Sequence, residues 1–151
     1  MPASLTIFCR KLDMAGALER LRGSAGAPLE VEGDPASWTR VVIQGPATTL
    51  TFNAMLRERS GDEFSDLILG AESFFRKVDT DAPDRKKTVL DWIAATELIV
   101  GVTASPEFVE EEGHFDLVLD LAEELDGLIF NGSGMVTSEG DLLLDNAGAH
   151  D

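Results

Sequence analysis

The sequence predicts a single α+β domain: a mixed, largely antiparallel sheet with helices packed on one face. Three observations carry this. Short segments alternate apolar and polar residues with the period of a strand. Longer segments repeat apolar residues every three or four positions, the period of a helix. The two kinds follow one another as β-α-β-β-α-α-β-α-β-β-β, and the first part matches the ferredoxin-like order β-α-β-β-α-β with an additional helix. An added helix and a C-terminal hairpin extend that core. The chain of 151 residues suits one domain. That domain is assigned to 1–145, with 146–151 as a frayed tail.

Leu5, Ile7 and Cys9 alternate with Thr6 and Phe8, which predicts a strand over about 4–10. Asp13 can cap a helix over 14–22, with Met14, Ala17, Leu18 and Leu21 on one side and Gly23 at its end. Residues 23–28 read as a loop, and Leu29 with Val31 as a short strand. Trp38 to Gln44 and Thr48 to Met55 form an antiparallel hairpin broken by Gly45-Pro46, with Leu50 and Phe52 sharing a face.

Ser60 and Glu63 have capping-box spacing ahead of Phe64, Leu67, Ile68, Ala71, Phe74, Phe75 and Val78, the clearest amphipathic helix in the chain. After a polar break at Thr80 to Pro83, Asp84 can cap a helix to about Thr96 that buries Val89, Leu90, Trp92 and Ile93. Leu98 to Thr103 is apolar apart from Gly101 and Thr103, as expected of a central strand buried on both faces. Phe115, Val118, Leu119, Ala122 and Leu125 mark a helix over 113–126, ended by Gly127. Leu128 to Phe130 is a short strand, Asn131 to Gly134 a tight turn, and Met135-Val136 with Leu142 to Leu144 a hairpin around Glu139-Gly140.

The formal net charge is −16, yet 44% of the residues are apolar, so the chain is not a disordered acidic tail. Residues 1–87 hold all 12 Lys and Arg with 13 acidic residues; 88–151 hold 15 acidic residues and no Lys or Arg. This charge opposes nonspecific attraction to nucleic acid or to an anionic membrane. One cysteine excludes an intrachain disulfide framework and a multi-cysteine zinc site. With no signal-like start and no apolar run long enough to span a bilayer, a cytoplasmic protein is expected.

The acidic helix is the most informative feature. Asp116, Asp120 and Glu123 or Glu124 form one stripe opposite its apolar face. Glu110, Glu111 and Glu112 precede it, where negative charge suits the helix dipole. Glu123, Glu124 and Asp126 stand at its C-terminal end, where negative charge opposes the dipole, and no basic residue of this half offsets them. The stripe reads as a solvated face that promotes solubility, as a docking surface for a basic partner, or as a weak divalent-cation site.

His114, between Glu112 and Asp116, is the one histidine outside the tail. It is a candidate general acid or base, against helix-start pairing as the plainer role. Cys9 alternates with core residues and reads as a buried, inert thiol, although Arg10 and Lys11 adjoin it. Asp79 to Asp84 begins like a calcium loop but puts Pro83 and Asp84 where a ligand and a glycine are required. Asn131-Gly132-Ser133-Gly134 is neither a nucleophile elbow nor a phosphate loop. Phe74, Phe75 and Trp92 read as core. No residue set implies a cofactor or metal.

Three function classes follow. The first is a non-catalytic interaction protein that binds a basic protein partner through Glu110, Glu111, Glu112, Asp116, Asp120, Glu123 and Glu124, as an antitoxin, immunity protein or inhibitor does. The second is a small hydrolase or transferase using His114 with nearby carboxylates. The third is a homo-oligomeric structural subunit that buries a strand edge.

Overall fold

The computed structural model describes residues 4–25, 28–45, 48–105 and 114–145, the side chains of residues 60 and 145 excepted. Its elements are β1 (Ser4–Cys9), α1 (Met14–Ala25), β2 (Leu29–Glu32), β3 (Arg40–Gln44), β4 (Thr49–Leu56), α2 (Arg57–Arg76), α3 (Pro83–Ala94), β5 (Leu98–Ser105), α4 (His114–Glu124), β6 (Gly127–Phe130), β7 (Gly134–Val136) and β8 (Leu142–Asp145). The α+β class agrees with the pattern of apolar residues. The order of elements differs from the expected one by a strand: three strands, not two, stand between α1 and α2, because the short segment at Leu29 and Val31 forms β2 beside the hairpin.

The eight strands form one sheet in the order β2-β3-β4-β5-β1-β6-β7-β8. Every described pairing is antiparallel, where a mixed sheet was expected. The ferredoxin-like order is not what the sheet adopts. β1 and β2, joined by α1, are separated by β5, β4 and β3. The split β-α-β unit is instead β5-α4-β6, whose two strands flank β1 and run antiparallel to it.

The helices cover both faces, not one. β1 explains why: Leu5, Ile7 and Cys9 enter one cluster with α1 and α4, while Phe8 enters a second with α2 and α3. β5 divides likewise, Leu98, Val100 and Val102 to the first cluster and Ile99 to the second. A strand apolar on both sides has two faces to remove from water, and one helical layer cannot cover both.

Local signals hold at several points. Asp13 Oδ1 accepts the Gly16 N–H at 3.1 Å and caps α1, which runs past Gly23 to Ala25. Asn131 Oδ1 accepts the Ser133 and Gly134 N–H groups, and Gly132 takes φ +98°, making the tight turn. Gly127 lies where a Cβ would stand 2.6 Å from Ile7 Cγ2, so β6 can pair closely with β1 only with glycine there. α2 differs. It begins at Arg57 with no side-chain cap at Leu56 and kinks at Gly61, which has φ +46°; the Ser60 half of the expected capping box lies outside the described side chains. α3 begins one residue before Asp84, with Pro83 in its first turn.

Candidate functional site

α4 carries the acidic stripe, and the sheet places α1 beside it. Both helices bury their apolar sides on the same sheet face: Ala17, Leu18 and Leu21 from α1, Leu117, Val118, Leu121 and Ala122 from α4. This juxtaposition brings Arg20 to the stripe. Its guanidinium lies 3.1 Å from Asp120 Oδ1, 2.7 Å from Glu123 Oε1 and 3.6 Å from Glu124 Oε1. Ser24 Oγ, one turn along α1, donates to Asp120 Oδ2 at 2.9 Å. Arg10 closes the end of the row. It pairs with Asp126 at 2.8 Å and stacks 3.5 Å from the centre of the Trp92 ring.

Arg10 and Arg20 therefore correct the expectation that the stripe is unopposed. The carboxylates that disfavour the α4 C-terminus are each met by a guanidinium from the other half of the chain. The hydrogen bond to Glu123, then the nearby charges of Asp120 and Glu123, hold the Arg20 guanidinium above its usual pKa, so it stays charged throughout the working range. Five carboxylates (Asp116, Asp120, Glu123, Glu124, Asp126) meet two guanidiniums, a local surplus of three negative charges. Asp116 is exposed in the first turn of α4. Glu110, Glu111 and Glu112 lie outside the described residues. Among the described residues no group of His, Cys, Asp and Glu is arranged to hold a metal ion, and Arg20 stands where a cation would meet this cluster.

His114 opens α4 and is 3% exposed, so its imidazole packs within the protein and not in an open cleft. Cys9 is buried, with its Sγ 3.7 Å from the Ile7 carbonyl oxygen. Burial, and secondarily the charge of Asp126, push the thiol far above its ordinary pKa. That is the inert thiol expected of a core position. Phe75 is fully buried and makes edge contacts with Phe74 and Phe130. Trp92 is part-buried and donates its indole N–H to the Phe8 carbonyl at 3.1 Å.

Sequence reasoning did not find Arg10, Arg20 and Ser24. The one available signal was that Arg20 and Ser24 stand four residues apart on the flank of the α1 apolar face. Their partners lie about a hundred residues away, and no spacing rule reaches that far.

Beside α4 on the same sheet face is an apolar cavity of about 260 Å³, lined by Leu5, Phe115, Val118, Ile129 and Val136 among others. On the other face, the β2-β3-β4 end presents a polar surface of Glu30, Glu32, Arg40, Gln44, Thr49 and Thr51. No helix among the described residues is long and apolar enough to cross a membrane. Comparison with protein-family models, with curated proteins and with solved structures finds no match for the chain.

Proposed function

We propose that the protein acts in the cytoplasm by binding a basic protein partner at the acidic surface of α4, as small acidic inhibitors and immunity proteins do. The observation that carries this reading is the surplus of negative charge left after Arg10 and Arg20 have paired. Asp116 stands exposed at the N-terminal end of this surface. Arg20 has a second role here. It holds Asp120 and Glu123 in fixed positions on the α1/α4 seam, so a partner meets an ordered array of carboxylates. Complementary charge of this kind speeds encounter and fixes register more than it adds affinity.

The test is affinity capture with the full chain, followed by identification of what is retained. The expected partner has a basic surface, is released as salt rises, and is lost with Asp116→Lys but not with Glu30→Gln at the far edge of the sheet. Retention unchanged in Asp116→Lys, or a retained partner without a basic surface, overturns the reading.

A further inference from the structure

α2 turns one face away from its own core, and that face has a regular composition. Successive residues of a helix are rotated by roughly 100°. With Gly70 taken as the centre, Glu63, Leu67 and Phe74 fall within about 60° on one side, and Asp66, Ser73 and Lys77 within about 60° on the other. The buried residues Phe64, Ile68 and Phe75 lie beyond it.

Three features of this face lack a reason inside the chain. Leu67, at the edge of this face, is 41% exposed. A Cβ at Gly70 would meet nothing within 4 Å, although glycine weakens a helix interior relative to alanine. Next to Gly70, an apolar cavity of about 270 Å³ opens between α2 and strands β1 and β6, lined by Phe8, Leu67, Phe74 and Phe130 among others.

Two charges on the face, Glu63 and Lys77, are mutually complementary, and Asp66 leaves the face one negative charge in excess. Glu63 and Lys77 are both exposed, and neither has an ion-pair partner among the described residues. Each stands seven residues from Gly70, roughly 10 Å along the axis in opposite directions. An antiparallel helix crossing at Gly70 under a two-fold axis therefore sets Glu63 against Lys77 twice. It also sets Leu67 near Ser73 and the cavity. A purely basic partner would find Lys77 opposed to it; a second copy of this chain satisfies both ends.

We propose that α2 is the seam of a two-fold dimer, in which α2 of a second copy crosses antiparallel at Gly70. The glycine permits close approach of the two helices, and the interface is isologous. This inference is independent of the reading of α4, which lies on the opposite face of the sheet.

Sedimentation of the full chain tests it. The expected mass at about a hundred micromolar, a concentration suited to modest interfaces, is twice the chain mass of 16.3 kDa. Gly70→Arg should raise the dissociation constant at least about tenfold, because a long side chain at the crossing blocks approach. Glu63→Lys and Lys77→Glu should each weaken the dimer roughly threefold or more, and the double exchange should restore it, since the pair is then re-formed with its signs reversed. If Gly70→Arg fails to fold, the exchange carries the test alone. A monomer at that concentration, a dimer unmoved by Gly70→Arg, absence of rescue in the double exchange, or a foreign basic helix on this face of a monomer overturns the proposal.

Discussion

In the α1/α4 layer, the guanidiniums of Arg10 and Arg20 end on carboxylates about a hundred residues away in the chain. In the α2/α3 layer, Arg57 and Lys86 reach the backbone of the neighbouring helix, Arg57 also lying 3.3 Å from a Glu97 carboxylate oxygen. Arg76 and Lys87 pair with Glu72 and Asp91 inside their own helices. Arg57 at the start of α2 donates to the Thr96 carbonyl at 2.7 and 3.0 Å and to Ala94 at 3.3 Å, beyond the end of α3 and at its last turn. Lys86 of α3 donates to the Arg76 and Val78 carbonyls at the end of α2. Each helix of that pair thus supplies a cation to the other's negative pole. The difference teaches where charge is left over. In the first layer the acidic side chains are held in place by arginines. In the second, the carboxylates near the start of α2 keep their charge facing outward, because Arg57 and Lys86 serve the helix ends.

The largest test of the comparison removes one core residue from each layer. Phe75→Ala should cost about 3–5 kcal/mol and Leu121→Ala about 2–5 kcal/mol, as transfer and cavity terms add at sites without solvent exposure. Both layers clamp the same strands, so urea unfolding of each variant should remain a single transition, with circular dichroism and tryptophan fluorescence coincident. Separate transitions would show that the two layers are independent units.

Next in size is a pH effect that belongs to the α1/α4 side alone. In the folded protein Cys9 is a neutral thiol well above its usual pKa, mainly through burial. In the unfolded chain it ionises near about pH 8.5. Below that value both states hold the proton, and the full stability is present. Above it only the unfolded state releases the proton, so stability falls by up to about 1.4 kcal/mol per pH unit. Urea midpoints between about pH 8 and 10 should decline less steeply for Cys9→Ala than for the wild type. Parallel slopes would mean that Cys9 ionises alike in both states.

Smaller still is the loss of a seam cation. Arg20→Met should destabilise by about 1 kcal/mol, since each part-exposed pair contributes little but three carboxylates lose their common partner. Added salt should narrow the gap to wild type by screening the remaining repulsion. Lys86→Met should cost about as much by leaving two carbonyls without that donor, and salt should change that gap less. Thermal unfolding at low and high salt separates the two behaviours.

How much of this was legible in the sequence depends on the range of each interaction. Period-two and period-3.6 patterns, the Asp13 cap and the Asn131–Gly134 turn are local, and they identified the elements. The two-sided core was also within reach. Leu98 to Thr103 reads as buried on both faces, and Phe8 stands between Ile7 and Cys9, which together argue against helices on one face only. The strand order was not legible, because antiparallel pairing of β1 with β5 joins Ser4 to Thr103 through no local signal. For the same reason the acidic stripe was visible while Arg20, which neutralises part of it, was not.

The smallest effect concerns α2 and carries the opposite sign. At Gly70 a methyl group meets open space, and the backbone there is helical, so Gly70→Ala should stabilise the monomer by about 0.5–1 kcal/mol. The gain comes from reduced freedom of the unfolded chain, so it needs no new contact. Gly23 in α1 is the matched control. It too is helical and meets nothing within 4 Å, but it stands near the end of its helix, where fraying dilutes the propensity. Gly23→Ala should therefore gain less. Thermal unfolding of both variants, at concentrations low enough to keep the chain monomeric, decides this. A loss of stability in Gly70→Ala would mean that the glycine serves packing within one chain, and the contrast between a closed α1/α4 layer and an open α2 face would fail at its most exposed point.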